Sequence, residues 1–128
     1  MLKGKINKLL KVVNEEDLWL LKNSLESIFD FMQLDAKIEA ELRALRTRNF
    51  DAETYAEERE HLLVTRHYKK RATVISIRIL NRLSNLYNVE KIYEGSDNEE
   101  EILEFAKELT KEYFGVHFEN SKTNNLSA

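Results

Sequence analysis

Not one proline occurs in the 128 residues, and the only glycines are Gly4, Gly95 and Gly115. These two residue types are the strongest interrupters of a helix. The chain is therefore free to build helices well beyond the roughly three turns usual in globular domains. With no cysteine, disulfides and thiolate chemistry are also excluded.

Helix boundaries are written in the cap residues. Residues 1–13 form a short amphipathic stretch, with Leu2, Ile6, Leu9, Leu10 and Val13 near helical spacing. Asn14, followed by Glu15, Glu16 and Asp17, reads as an N-cap with acids at the positive end of the helix dipole. The helix it starts is expected to run to about Arg48. Asn49-Phe50-Asp51 is the clearest break, with Asp51 as the next N-cap and Phe50 and Tyr55 spaced as a hydrophobic staple. The second long helix then runs from about Ala52 to Tyr87, and Asn88 suits the left-handed conformation that ends it. Val89 to Gly95 reads as a loop or a short extended piece. Ser96-x-x-Glu99 has the spacing of a capping box ahead of a third main helix with the stripe Ile102, Phe105, Ala106, Leu109 and Tyr113, stopped by Gly115. The expected fold is all-α: a long antiparallel helical hairpin with a C-terminal helix and a short N-terminal helix. Residues 1–119 form one domain, and the polar segment 120–128 is a disordered tail.

Both long helices show two apolar stripes. In the first, Leu18, Leu21, Leu25, Ile28, Phe29, Met32 and Ala36 lie opposite Phe31, Leu34, Ile38, Leu42 and Leu45. In the second, Tyr55 and Leu62 mark one face, and Tyr68, Ala72, Ile75, Ile79, Leu83 and Leu86 another. Folding the hairpin about residues 49–50 sets position 33 level with position 66, so both changes of face fall at one height. That pattern predicts a base, where residues 18–32 meet 68–86, and a tip with apolar residues turned elsewhere. A 36-residue helix is about 54 Å long, against about 36 Å for the diameter of a compact domain of this size. Either the helices break at the change of face or the molecule is elongated. An elongated tip exposing Phe31, Leu34, Ile38, Leu42, Leu45, Tyr55 and Leu62 needs a partner, and a second copy of the chain is the simplest one. A kink near Gln33–Asp35, folding everything into one monomeric bundle, is the competing reading.

Charge is segregated under a net value of −3. Residues 61–88 hold six lysines and arginines and no acid, whereas residues 15–60 hold 13 acids and six bases. His67, Arg71, Arg78 and Arg82 fall on one face, and Arg71, Arg78 and Arg82 are the candidate phosphate ligands. Acid-rich segments at Glu15–Asp17 and Glu99–Glu108 offer internal partners for the same arginines. Glu58-x-x-His61 has the spacing of a di-iron ligand pair, with Glu39 and Glu41 at similar height; a solvated charged face explains the same residues. Trp19, beside Leu18 and Leu20-Leu21, belongs to the core or to a docking patch. No phosphate loop, nucleophile elbow or zinc-protease signature is present. No apolar run approaches a membrane span, and Asn7, Lys8 and Lys11 break up any signal-peptide core. These features predict a cytoplasmic, non-enzymatic interaction module without cofactor or metal, homodimeric through the tip, in contact with no membrane. A nucleic-acid-associated regulator is the alternative.

The run Arg71-Ala-Thr-Val-Ile-Ser-Ile-Arg-Ile-Leu-Asn-Arg-Leu83, then Tyr87-Asn-Val, Ile92-Tyr-Glu-Gly95 and Glu104-Phe-Ala-Lys-Glu-Leu109, resembles a small uncharacterised family of helical proteins from Firmicutes. The resemblance covers about residues 60–115. It implies a bacterial helical domain and assigns no functional residue.

Overall fold

The computed structural model describes residues 2–114. Four α-helices follow one another: α1 (Leu2–Val12), α2 (Glu15–Leu45), α3 (Ala52–Leu86) and α4 (Glu99–Leu109), which continues into a π-helical turn at Thr110–Phe114. The architecture is an all-α bundle, with no strand among the described residues. Neither long helix breaks. At 35 residues, α3 is about 52 Å long, so the hairpin is elongated. No helix among the described residues is long and apolar enough to cross a membrane. The segment 120–128 and the stop at Gly115 lie outside the described residues.

The local signals that set the helix ends are satisfied one by one. Asn14 accepts a hydrogen bond from the Asp17 backbone N–H, and Asp51 accepts one from that of Thr54. The latter contact, with the Thr54 hydroxyl, holds the Asp51 carboxyl below its ordinary pKa. Asn88 has φ 55°, and Val89 N–H donates to Ser84 O at 2.9 Å while Asn88 N–H donates to Asn85 O at 3.2 Å. Those two bonds are the Schellman closure of a helix. One cap differs from expectation. Asn98, not Ser96, caps α4, accepting from the backbone of Glu100 and Glu101. Ser96 instead ties the preceding loop to α4: its N–H and its hydroxyl both donate to the Glu101 carboxylate.

The core gathers every helix at the base. Ile6 and Leu9 of α1, Leu21, Leu25 and Ile28 of α2, Val74, Ile77, Leu80 and Leu83 of α3, and Ile102, Ala106 and Leu109 of α4 are buried together with Ile92 and Tyr93 of the loop. The Asn81 side chain fixes that loop, donating to Tyr93 O at 2.7 Å and accepting from Tyr93 N–H at 2.9 Å. The Tyr93 ring packs at 4.9 Å from Phe105. Its edge closes over Gly95, where an added Cβ would lie 2.6 Å from Tyr93 Cζ.

The two-face pattern expected of the hairpin takes a different form. On α2 the buried positions include Ser24, Phe31, Ile38 and Leu45, a step of seven residues each time. A seven-residue step drifts by only about 20° on a straight helix. The two stripes of α2 are thus one seam that rotates slowly, and no jump of face occurs. On α3 the correction is larger. Of the expected base stripe only Leu83 is buried, and the core face is Thr73, Val74, Ser76, Ile77, Leu80, Leu83 and Ser84. The reason is the hydroxyls. Ser24, Thr73, Ser76 and Ser84 donate to the carbonyls of Leu20, Lys69, Ala72 and Leu80, one turn back in their own helices. A hydroxyl bonded in this way is buried without an unpaired polar group, and its small size suits close packing of neighbouring helices.

Protonation of Glu101 gives this fold an acid-sensitive latch. The Ser96 hydroxyl and backbone N–H hold the Glu101 carboxyl below the usual carboxylate range. The folded pKa is lower than the unfolded one. The resulting stabilisation is therefore complete above the unfolded pKa and is lost as pH falls through the lowered value. Glu101→Gln should flatten the acid side of the stability–pH curve, measured as urea midpoints from neutral to acid pH.

Candidate interaction surface

Three of the residues expected to face a partner are inside the chain. Phe31, Ile38 and Leu45 are 3%, 3% and 2% exposed. Leu34, Leu42, Tyr55 and Leu62 are half-buried. The slowly rotating seam of α2 turns the first three towards the interior of the hairpin, so a single chain already covers the centre of the expected tip interface.

Among the described residues, four of the seven exposed large apolar side chains lie on the outer face of α3. Tyr68 is 69% exposed, Leu86 68%, Ile75 48% and Val64 45%. Ala72 and Ile79, both half-buried, fall on the same line. At 100° per residue these six lie within about 80° of one another and about 150° from the buried Thr73, Ile77, Leu80 and Ser84. They form an apolar line from Val64 to Ile79, which itself packs partly against the core, and Arg82 separates that line from Leu86. Towards the tip it opens into a groove lined by Tyr55, Leu63, Val64, His67 and Tyr68. Counting Ser and Thr as admissible core residues would have moved the buried face of α3 and left this stripe unpartnered on the page of sequence.

Trp19 is also outside, 69% exposed, which overturns its core reading. Its neighbours along the same side of α2, Lys22, Glu26 and Asp30, are exposed and charged, so it stands alone.

The basic face is largely consumed internally. Arg71 pairs with Glu99, and Arg78 pairs with Asp97 at 3.1 Å. Arg66 reaches Asp35 at 2.7 Å and Glu39 at 2.6 Å. Burial acts to lower the Arg66 pKa, and the two carboxylates outweigh it and raise the value. Among the described residues Arg82 forms no ion pair. It borders a polar cleft with Asn85 and Lys91. Of the three candidate phosphate ligands, Arg82 is thus the one left without an internal counter-ion.

Groups with displaced proton affinities serve structure. Asp51 is a cap, Arg66 is ion-paired, Glu101 is a latch, and Tyr93 is held up by burial and by the nearby Glu101. Tyr87 is raised overall; the Asn14 backbone bond acts to lower it, and its hydroxyl's bond to Asp17 raises it. Tyr93 donates to Glu101 at 3.4 Å and Tyr87 donates to Asp17, and these contacts tie the 88–98 loop to α4 and the end of α3 to the start of α2. Among the described residues no three His, Asp or Glu side chains gather closely enough to hold a metal ion, Glu58, His61, Glu39 and Glu41 included. No family model, curated protein or solved structure matches the chain.

Proposed function

We propose that this protein is a non-enzymatic, cytoplasmic interaction module that docks through the outer face of α3. One observation carries the reading. Val64, Tyr68, Ile75 and Leu86 remain exposed along one side of α3 although the seams of α2 and the opposite face of α3 are folded inward. The spacing on that side, alternating steps of three and four from Tyr68 through Ala72 and Ile75 to Ile79, is that of a coiled-coil seam awaiting a second helix. Contiguous exposed apolar surface on a soluble chain is a mark of an interface. Loose, single exposed residues such as Trp19 need no such explanation.

The nucleic-acid reading is supported by Arg82 alone, because Glu99 and Asp97 already neutralise Arg71 and Arg78. A titration against generic DNA should accordingly show little binding and a shallow dependence on salt, since the slope counts the phosphates neutralised.

A photoreactive side chain placed at position 75 tests the docking surface. Irradiation should give protein adducts at position 75 and none at the exposed position 30, on the polar side of α2. Equal labelling at both positions, or none at either, overturns the proposal.

A further inference from the structure

We infer that the partner of this face is a second copy of the chain, with α3 packed antiparallel against α3 and Glu57 of each copy set against Arg82 of the other. The inference rests on the docking reading above and adds the identity and direction of the partner.

Charge sets the direction. The first turns of α3 carry Glu53, Glu57, Glu58 and Glu60 against a single Arg59. From His61 onward the helix carries Arg66, Lys69, Lys70, Arg71, Arg78 and Arg82 and no acid. A parallel pair would set acid on acid and base on base. An antiparallel pair sets the acidic end of each helix on the basic end of the other, and it also opposes the two helix dipoles.

Register follows from the apolar line. A two-fold axis level with the gap between residues 69 and 70 sets Val64 level with Ile75 of the copy and Tyr68 within one residue of Ala72. Each pair sets a larger side chain against a smaller one or two branched ones together, as interdigitating seams require. The same axis sets Glu57 level with Arg82. Both are exposed, both lie on the line, and neither has an ion-pair partner among the described residues. Pairing them leaves the internal bridges of Arg71 and Arg78 untouched. The contact is isologous, so every copy contributes both halves and the assembly closes at two. From Glu57 to Leu86 the face is about 44 Å long, enough to bury on the order of the 800 Å² per partner found in stable interfaces.

Light scattering and sedimentation of the full chain test this. At tens of micromolar and low salt the mass should be twice 15.1 kDa. E57R and R82E each place two like-charge contacts in the dimer and should weaken it by about 10-fold or more. The double variant E57R/R82E exchanges the partners and should recover most of the wild-type affinity. Far-UV circular dichroism should show the same helicity in all four proteins. A wild-type mass of 15.1 kDa at every concentration, a dimer indifferent to both reversals, or a double variant as weak as the singles overturns the inference. A monomer that still gives adducts at position 75 with other proteins would sink self-pairing and spare the docking surface. Loss of the adducts as well would sink both.

Discussion

Ile77→Ala should cost roughly 2–5 kcal/mol of unfolding free energy, the range for removing a buried Ile side chain, while Ile75→Ala should change it by no more than about 0.5 kcal/mol. The two residues are chemically identical and two positions apart on one helix. A separation of two residues is about 200° of rotation, and it carries Ile77 into the core at 0% exposed and Ile75 out to 48%. Truncating Ile77 leaves a cavity in the buried cluster that joins all four helices. Truncating Ile75 removes atoms already half in water. Urea unfolding at concentrations low enough to keep the chain monomeric separates the two. Equal losses at both positions would put the buried face of α3 back where hydrophobicity alone places it.

Ile38→Asp should cost about 3–5 kcal/mol, the scale of a buried charge without compensation, and the damage should stay in the tip. Ile38 is 3% exposed, yet it stands outside the cluster that joins α1, α2, α3 and α4 at the base. The cation at similar height, Arg66, is already engaged by Asp35 and Glu39, so a new carboxylate at position 38 competes with two others. Local opening of a weakly connected unit is then easier than global unfolding. Hydrogen exchange should show amides of about residues 34–64 losing protection while α1 and α4 keep theirs. Simultaneous loss throughout the chain would show that tip and base are one cooperative unit.

The helices themselves were legible in the sequence because their signals are local. Asn14, Asp51 and Asn88 bond to backbone groups within a few residues, and their identity announces it. Ser96 misled for the same reason in reverse. Its spacing fits a cap, but Asn98 sits closer to the helix and takes the role, leaving Ser96 to hold the loop through Glu101. Which face of a long helix is buried is a tertiary property. Thr73, Ser76 and Ser84 count as polar by composition, but each satisfies its hydroxyl within α3 and so enters the core. Tyr68, Ile75 and Leu86 count as apolar and stay outside. The candidate tip interface failed on this point at Phe31, Ile38 and Leu45, and the free surface moved to a stripe that was visible in the sequence but assigned to the core.

The distance between spin labels on two copies tests the antiparallel α3 pair most directly. The chain has no cysteine of its own, so Asn85→Cys provides a single labelling site on an exposed position near the end of α3. With the two-fold axis between residues 69 and 70, the two labels lie about 46 Å apart along the helices. Parallel pairing would bring them within about 20 Å, two helix-packing distances. A distribution centred at about 46 Å is the predicted result; one below about 20 Å, or no dipolar signal between copies at all, would contradict the account.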